Sequence, residues 1–128
     1  MDRLFFDANV LFSAAYRPNN GILALWKRKN VVLCSSQYAL QEAHINLDDA
    51  AQQNRLARLA NHLEFFEVAA STLPSGVALP DKDVPILLAA IAARATHLLT
   101  GDLRHFGPYF GKKFAGILVL PPAAYLHP

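Results

Sequence analysis

The sequence contains one cysteine, Cys34, among 128 residues. A single thiol cannot form an internal disulfide, so nothing in the chain indicates an oxidising compartment. The five histidines have no spacing typical of a zinc site, and each is interpreted as a surface or packing residue. A glycine-rich phosphate loop and the Gly-x-Ser-x-Gly elbow of serine hydrolases are also missing. These absences argue against a disulfide scaffold, a zinc protein and a P-loop nucleotide-binding protein.

The chain also lacks a long hydrophobic run and a large excess of one charge. Near the N-terminus, Asp7 interrupts an apolar stretch of only three residues, which is too short for a signal peptide. The most apolar stretch, residues 84–93, is shorter than the roughly 20 residues that cross a bilayer. The net charge of +2 is compatible with nucleic acid without requiring it. We therefore expect a cytoplasmic protein with no membrane partner.

Apolar residues are abundant, at 53% of the chain, which is enough for a full core. The length predicts a single domain, residues 1–128. Strands are predicted at residues 4–6, 31–34, 65–68, 97–100 and 116–120, and residues 71–81 are predicted to be a loop. Helices are predicted at residues 10–15, 22–29, 36–47, 50–62 and 84–95. This alternation predicts an α/β fold, a three-layer α/β/α sandwich around a short parallel sheet of four or five strands.

Four acidic residues stand at the edges of these apolar elements: Asp7, Glu42, Asp83 and Asp102. Asp7 and Asp102 follow predicted strands, and open α/β sheets build their sites outside the carboxyl ends of their strands. Glu42 shares a second, partly apolar stripe of its helix with Tyr38 and Ile45. Four carboxylates that converge would repel one another unless a cation joined them. The pattern therefore predicts a metal site at one mouth of the fold.

Three of these acids also have interpretations without a ligand. Asp7 and Asp102 are at positions where turn residues are common, although Asn9 is better placed than Asp7 to cap the first helix. Glu42 could be an edge residue whose carboxylate reaches water, and its two interpretations are evenly balanced. For Asp7 and Asp102, the equivalent strand-end positions favour the site.

Asp83 has the strongest structural alternative. It precedes Val84 and Pro85 at the start of an apolar helix, where an Asp is a good N-cap. The two roles are compatible, because one carboxylate oxygen can accept backbone N–H bonds while the other faces a metal. Asp81 competes for the ligand role, and we prefer Asp83 because the helix fixes its position.

Oxygen ligands select hard cations, so the expected cofactor is Mg²⁺ or Mn²⁺. Such ions typically bind through one or two carboxylates together with substrate phosphates. A bound ion lowers the pKa of a water ligand and neutralises charge that develops on a phosphate. The chemistry implied by Asp7, Glu42, Asp83 and Asp102 is hydrolysis of a phosphodiester.

Other polar residues have weaker signals. Thr100 and Ser13 carry hydroxyls that could contact a ligand or orient a carboxylate. Basic residues that could contact a polynucleotide backbone are Arg17, Arg104, Lys112 and Lys113. For each basic residue, ordinary solvated surface is an equally good interpretation.

Several motifs resemble the PIN-domain ribonucleases. The segment Phe-Asp-Ala-Asn-Val-Leu at residues 6–11 is similar to the family's opening motif, an acid followed two residues later by Asn9. Glu42 lies where the family has its second acid, and residues 81–87 resemble the third acidic element. Leu-Thr-Gly-Asp at residues 99–102 resembles the fourth, with Thr100 at a hydroxyl position. The size and order are similar to VapC-like toxins of bacterial toxin–antitoxin pairs.

The resemblance implies an Mg²⁺- or Mn²⁺-dependent endoribonuclease in which Asp7, Glu42, Asp83 and Asp102 are both catalytic residues and metal ligands. It also implies Asn9 as a supporting residue, an RNA substrate, a homodimer and an antitoxin that blocks the acidic site. Two alternatives remain open. The Asp7-x-Asn9 motif also resembles haloacid-dehalogenase-type phosphatases, in which Asp7 would be the nucleophile. The fold could also serve as a non-catalytic RNA- or protein-binding module.

Overall fold

The computed structural model describes residues 1–68 and 72–128. Its strands are β1 Asp2–Phe6, β2 Val31–Ser35, β3 Glu64–Phe65, β4 His97–Leu99, β5 Lys113–Phe114 and β6 Ile117–Leu120. Its α-helices are α1 Ala8–Tyr16, α2 Gln37–Asn46, α3 Ala50–Ala60, α4 Val84–Ala92 and α5 Pro122–Leu126, and 3₁₀ helices span Gly21–Lys27 and Gly107–Tyr109. Within the described ranges, no helix is both long and apolar enough to cross a membrane.

The strands form one sheet in the order β3-β2-β1-β4-β6-β5. All neighbouring pairs are parallel except β5 and β6, which are antiparallel. The predicted α/β class with a mostly parallel central sheet is confirmed. The five predicted strands are present and are the parallel ones, and over the described residues the sheet has a sixth strand that was not predicted. The additional strand, β5, has only two residues and pairs with β6 as a hairpin.

The strand order reverses at β1, and this reversal positions the site. The chain runs from β1 to β2 and β3 on one side, then returns to place β4 on the other side of β1. Because parallel crossovers are right-handed, the helices before β3 cover one face of the sheet and α4 covers the other. A crevice opens between β1 and β4 at their carboxyl ends, where open α/β sheets bind ligands.

The central strands carry the core because both of their faces are covered. Phe5 and Phe6 of β1 and Leu98 and Leu99 of β4 are completely buried. Such strands read as continuous apolar runs rather than alternating ones. Phe6 also packs its ring 4.9 Å from that of Trp26, whose indole N–H donates to the carbonyl of Leu59 at 3.1 Å. These contacts tie the 3₁₀ helix and α3 to β1, the strand that precedes Asp7.

Several predicted boundaries were wrong. The α-helix predicted at residues 22–29 is the 3₁₀ helix Gly21–Lys27. The strand predicted at 65–68 is the two-residue β3, Glu64–Phe65. The predicted loop 71–81 contains no helix or strand over residues 72–81, and its first residue, Ser71, lies outside the described part of the chain. The short α5, Pro122–Leu126, was not predicted.

Asn20 holds the junction between α1 and the 3₁₀ helix. Its Oδ1 accepts the N–H of Ile22 at 3.1 Å, and its Nδ2 donates to the carbonyls of Ala14 and Arg17 at 3.1 and 3.0 Å. We expect Asn20→Ala to lower the free energy of unfolding by about 1–2 kcal/mol, since a cap and two carbonyl partners are lost. Urea unfolding measures this change. The control is Asn19→Ala at the exposed neighbouring position, and equal losses in the two variants would contradict the assignment.

Candidate active site

The four predicted acids meet in one cavity. Asp7, Glu42, Asp83 and Asp102 all line a cavity of about 450 Å³, together with Lys82. Asp7 follows β1 and Asp102 follows β4, so the cavity lies at the reversal of strand order. The sequence-based expectation that these distant acids share one mouth agrees with this placement. What each acid does there remains a prediction.

Asp7 is held by hydrogen bonds to both carboxylate oxygens. Oδ1 accepts the N–H of Ala8 at 2.7 Å, and Oδ2 accepts the hydroxyl of Thr100 at 2.7 Å and the amide of Asn9 at 3.2 Å. The expectation that Asn9 caps the first helix was wrong. Asp7 has the extended backbone of an N-cap, and α1 begins at Ala8, so Asn9 lies inside its first turn.

Asn9 and Thr100 connect the ends of the two central strands. Asn9 Nδ2 also donates to Thr100 Oγ1 at 3.3 Å, and Asn9 Oδ1 accepts the N–H of Gly101 at 2.8 Å. Thr100 Oγ1 in turn accepts the N–H of Asp102 at 3.1 Å. Thr100 is completely buried, so its hydrogen bond to Asp7 is shielded from solvent, whereas the bond between Asn9 and Gly101 is exposed. The network fixes Asp7 and Asp102 relative to each other.

Asp102 opens a tight turn and contacts a histidine. Its Oδ1 accepts the N–H groups of Arg104 and His105 at 3.1 and 3.0 Å. Its Oδ2 lies 3.0 Å from His105 Nδ1 in a hydrogen bond. The alternative interpretation of Asp102 as a turn residue is therefore correct for Oδ1, while Oδ2 contacts His105.

Asp83 occupies the N-cap position of α4 but its side chain makes no capping hydrogen bond. The expected capping bond from one carboxylate oxygen is therefore absent, while the metal-ligand role of Asp83 stays a prediction. An N-cap side chain normally bonds the N–H of the second or third helical residue. The second is Pro85, which has no N–H, and the N–H of Ile86 bonds the backbone carbonyl of Asp83 at 3.1 Å.

The Asp83 carboxylate is buried, and one of its oxygens is unsatisfied. Asp83 is only 7% exposed, and Oδ2 has no hydrogen-bond partner among the described residues. His105 Nδ1 is 2.9 Å away, an ion-pair distance. The same nitrogen bonds Asp102 Oδ2, and a single N–H cannot be directed well at both oxygens. The contact with Asp83 is therefore close without being a directed hydrogen bond.

Glu42 lies on the helix wall of the cavity and is half-buried. The predicted second apolar stripe is not a buried surface, because Tyr38 is 38% exposed and Ile45 is 69% exposed. Tyr38 instead donates its hydroxyl to the carbonyl of Lys82 at 2.7 Å, which links α2 to the segment before Asp83. Glu42 thus lies at the solvent-accessible edge of the cavity, where its carboxylate can contact both water and a ligand in the cavity.

Burial raises the pKa of two of these acids. The pKa of Asp7 rises to about 6, mainly through desolvation and partly through repulsion by Asp83 and Asp102, against hydrogen bonds from Thr100 and Ala8 that lower it. The pKa of Asp83 is also raised, first by desolvation, while the neighbouring His105 opposes the shift. Both shifts show that the protein holds negative charge here at an electrostatic cost.

The remaining predicted residues lie elsewhere. Ser13 lines a neighbouring cavity of about 460 Å³ on the other side of Asn9, and Asp81 is exposed outside the acidic cavity. The four predicted RNA-contacting side chains are exposed, and the acidic cavity is lined by none of them: Arg17, Arg104, Lys112 and Lys113. Binding of RNA by these residues stays a prediction.

The distances of the basic residues from the cavity follow from their elements. Arg17 is beyond the far end of the nine-residue α1, roughly 15 Å along the axis from Asp7 at about 1.5 Å per residue. Lys113 pairs with Leu118, which pairs with His97 at the start of β4. Because the site is at the other end of β4, Lys113 faces away from it along the strand direction.

Sequence reasoning missed two residues at the cavity. Lys82 lines it beside Asp83, and its position between two acids at 81 and 83 could have signalled a cation in their field. His105 was interpreted as a surface or packing residue, yet it lies between Asp83 and Asp102. Its spacing of three residues from Asp102, across a turn, was the available signal.

The acids fit a divalent cation. Asp83, Asp102 and His105 each offer one ligand atom, and these atoms lie within 4.8 Å of one another. The unsatisfied, buried Asp83 Oδ2 needs a positive partner. Carboxylate oxygens are the ligands that Mg²⁺ and Mn²⁺ prefer. The donor set and the missing partner therefore both match an ion in this cavity.

Comparisons with known proteins agree with the fold and the motifs. The family model described as the PIN domain matches residues 3–104. The chain belongs to the PIN domain family. Its fold is similar to a chain in the crystal structure of VapBC2 from Rickettsia felis bound to a DNA fragment from their promoter, with a TM-score of 0.68 and 16% identity over 93% of this chain and 98% of that chain. No curated protein matches the sequence. The predicted family and PIN-like fold are confirmed.

The raised pKa of Asp7 predicts how stability depends on pH. Between about pH 4 and pH 6, folded Asp7 holds a proton that the unfolded chain has released, so the unfolding free energy falls as pH rises through this window. The full loss is up to about 3 kcal/mol, from the size of the shift. Asp7→Asn should lack this pH dependence. Its free energy of unfolding should therefore rise relative to that of the natural chain as the pH increases to about 7.

Denaturant unfolding with chelator at pH 4 to 8 measures both curves. The control is Asp81→Asn, which removes an exposed acid close in sequence and should leave the slope unchanged. Parallel curves for the natural chain and Asp7→Asn would show that Asp7 titrates normally.

Proposed function

We propose that this PIN-domain protein is an endoribonuclease that hydrolyses RNA phosphodiester bonds with Mg²⁺ or Mn²⁺. The observation that carries the proposal is the meeting of four carboxylates in one cavity at the carboxyl ends of β1 and β4. Membership of the PIN domain family supports it, since the family model matches residues 3–104, a range that contains all four acids. The phosphodiester is the substrate class that such a site fits, because shared cations neutralise both the acids and the phosphate.

Two of the acids, Asp7 and Asp102, are fixed by hydrogen bonds, and the other two, Asp83 and Glu42, line the wall of the cavity. Asp7 and Asp102 would hold the cation, because the hydrogen bonds through Thr100 and Asn9 fix both carboxylates. Asp83 would add a buried oxygen that has no other partner in the described chain, and Glu42 would close the open side. When bound, the cation activates a water as nucleophile and stabilises charge on the phosphate.

Asn9 and Thr100 act as positioning residues in this proposal. Asn9 donates to Asp7 Oδ2 and anchors Gly101, so the turn that carries Asp102 cannot move independently of α1. A displacement of about 1 Å in such a site can reduce rate by about 100-fold, since the reacting groups must be held in alignment. The hydrogen bonds therefore matter for the rate although neither side chain needs to touch the substrate.

Binding of RNA at the cavity requires an exposed basic side chain that can contact a phosphate. Lys82 is exposed at the rim of the acidic cavity and could contact a phosphate next to the scissile bond. Arg17, Arg104, Lys112 and Lys113 are exposed but do not line the cavity, and they would contact other phosphates along a polynucleotide. Lys82 is the basic residue that we expect to affect binding most.

A role as the toxin of a toxin–antitoxin pair in the cytoplasm is the biological setting that we propose. The similarity to a chain of VapBC2 over nearly the full length of both chains supports this setting. An antitoxin would inhibit by covering the acidic cavity with a segment that brings a positive charge to Asp83 and Asp102. Homodimer formation belongs to the same proposal, and light scattering of the purified protein tests it.

The competing functions fit the site less well. In a haloacid-dehalogenase-type phosphatase, Asp7 would attack phosphorus, yet both of its oxygens accept hydrogen bonds that hold it in place. A non-catalytic binding module would not require four acids around one cavity. Trapping an aspartyl-phosphate would favour the first alternative, and RNA binding without cleavage would favour the second.

The central prediction is metal-dependent cleavage. Purified protein should cut single-stranded RNA with Mn²⁺ or Mg²⁺ and stop on addition of chelator. Asp7→Asn and Asp102→Asn should each reduce the rate by at least about 100-fold, the scale of losing one key electrostatic contact in a transition state. A gel assay with end-labelled RNA measures this loss.

The matched control for cleavage is Asp81→Asn, the same chemical change outside the cavity. It should keep the natural rate. Undiminished cleavage by both Asp7→Asn and Asp102→Asn would reject the assignment, and chelator-resistant cleavage would reject the metal requirement.

Lys82→Ala should weaken RNA binding. Removing one phosphate contact is expected to reduce the slope of log binding constant against log salt by about 0.7 for single strands. Fluorescence anisotropy with labelled RNA at several salt concentrations measures the slope. Lys29→Ala, at an exposed position after the 3₁₀ helix, is the control, and identical slopes for the two variants would remove Lys82 from the binding surface.

A further inference from the structure

We propose that His105 adds a nitrogen ligand to the cation that the carboxylates hold, next to Asp83 and Asp102. The inference rests on the proposed function in one respect, that the acidic cavity takes a divalent metal. It adds a preference, because imidazole strengthens binding of transition metals such as Co²⁺ far more than binding of Mg²⁺.

The distances between the three side chains suit a shared ion. His105 Nδ1 lies 2.9 Å from Asp83 Oδ2 and 3.0 Å from Asp102 Oδ2. Adjacent ligand atoms on a six-coordinate ion are about 3 Å apart when each bond is about 2.1 Å long. His105 Nδ1 therefore already has the separation of a neighbouring ligand from each carboxylate oxygen, and the three ligand atoms lie within 4.8 Å of one another.

The unsatisfied oxygen is an independent observation. Asp83 Oδ2 is buried, has no hydrogen-bond partner among the described residues and faces the same nitrogen. A buried carboxylate oxygen left alone costs free energy, and a native protein usually supplies a partner. The donor and acceptor roles of His105 Nδ1 depend on the ring tautomer. With the ring proton on Nε2, Nδ1 presents a lone pair, and a cation can then be the shared partner of Nδ1 and the two carboxylate oxygens.

The ring of His105 is held in place by the turn that carries it. The N–H of His105 bonds Asp102 Oδ1 at 3.0 Å, and the N–H of Phe106 bonds the Asp102 carbonyl at 3.0 Å. Phe106 is almost completely buried, so the turn is anchored in the core immediately after His105. The imidazole is thus positioned in advance, as a ligand must be.

The competing interpretation is that His105 only orients Asp102. Imidazole–carboxylate pairs commonly serve this purpose, with the histidine outside the first coordination sphere. The two interpretations differ in whether nitrogen touches the metal. They also differ in selectivity, since an orienting residue would affect Mg²⁺ and Co²⁺ similarly, whereas a nitrogen ligand would affect Co²⁺ more.

The test is spectroscopic and does not depend on RNA cleavage. Electron spin-echo measurements on Mn²⁺ bound to the natural protein should detect a directly coordinated ¹⁴N nucleus, and His105→Gln should lose that signal. Calorimetry should show that His105→Gln weakens Co²⁺ binding by about tenfold or more, with Mg²⁺ binding changed by less than about threefold. His62→Gln, at an exposed position outside the cavity, should match the natural protein in both measurements.

The outcomes separate this inference from the proposed function. Metal binding without a ¹⁴N signal, or equal losses of Mg²⁺ and Co²⁺ affinity in His105→Gln, would overturn the ligand role and leave the nuclease proposal standing. No binding of any of the three ions would overturn both. If His105→Gln does not fold, as circular dichroism would show, the ¹⁴N signal of the natural protein decides alone.

Discussion

The hydrogen bond from the Thr100 hydroxyl to Asp7 Oδ2 is the contact on which the site depends. Its 2.7 Å length joins the residues that follow two adjacent parallel strands, and it is completely shielded on the Thr100 side. The same hydroxyl accepts the N–H of Asp102, so one oxygen sets the separation of two acids that are far apart in the chain. A charge-assisted bond of this kind is stronger than a neutral one and is strengthened further by burial. The parallel strands bring Asp7 and Asp102 close together, and this hydrogen bond fixes the relative position of their carboxylates.

Holding these acids together has an electrostatic cost that the fold accepts. Desolvation raises the pKa of both Asp7 and Asp83, and repulsion from Asp102 adds to it in each case. If the cavity were only structural, neutral residues of the same size would serve better, because an uncompensated buried charge is strongly destabilising. The most economical explanation is that the charge is compensated by a cation during function. Stability given up for a site in this way is the usual relation between the two.

The sequence predicted the parts of the site that follow from chain direction. Asp7 and Asp102 each follow a continuous apolar run, and parallel strands present their carboxyl ends on one side, so their meeting required no knowledge of packing. By contrast, the strand β5 could not be predicted, because the turn before β6 uses Ala115 and Gly116 at φ +51° and +80°. Such hairpin turns favour Asn or Gly at the first position, and alanine carries no such signal. His105 was missed for a related reason, since its approach to Asp83 depends on how the turn after β4 packs against the start of α4.

Three of the described helices, α1, α3 and α4, have an aspartate at the N-cap position. The three carboxylates differ in the hydrogen bonds that they make. Asp49, at the start of α3, accepts the N–H of Gln52 at 2.8 Å and behaves as an ordinary cap. Asp7 commits one oxygen to the helix and the other to Thr100. Neither carboxylate oxygen of Asp83 bonds the helix. Pro85 has no N–H to donate, and the N–H of Ile86 bonds the backbone carbonyl of Asp83 instead. The Asp-Val-Pro sequence that reads as a capping signal therefore has the opposite effect here. It places a carboxylate at the positive end of a helix dipole while leaving its oxygens available, which is the arrangement that a metal ligand requires.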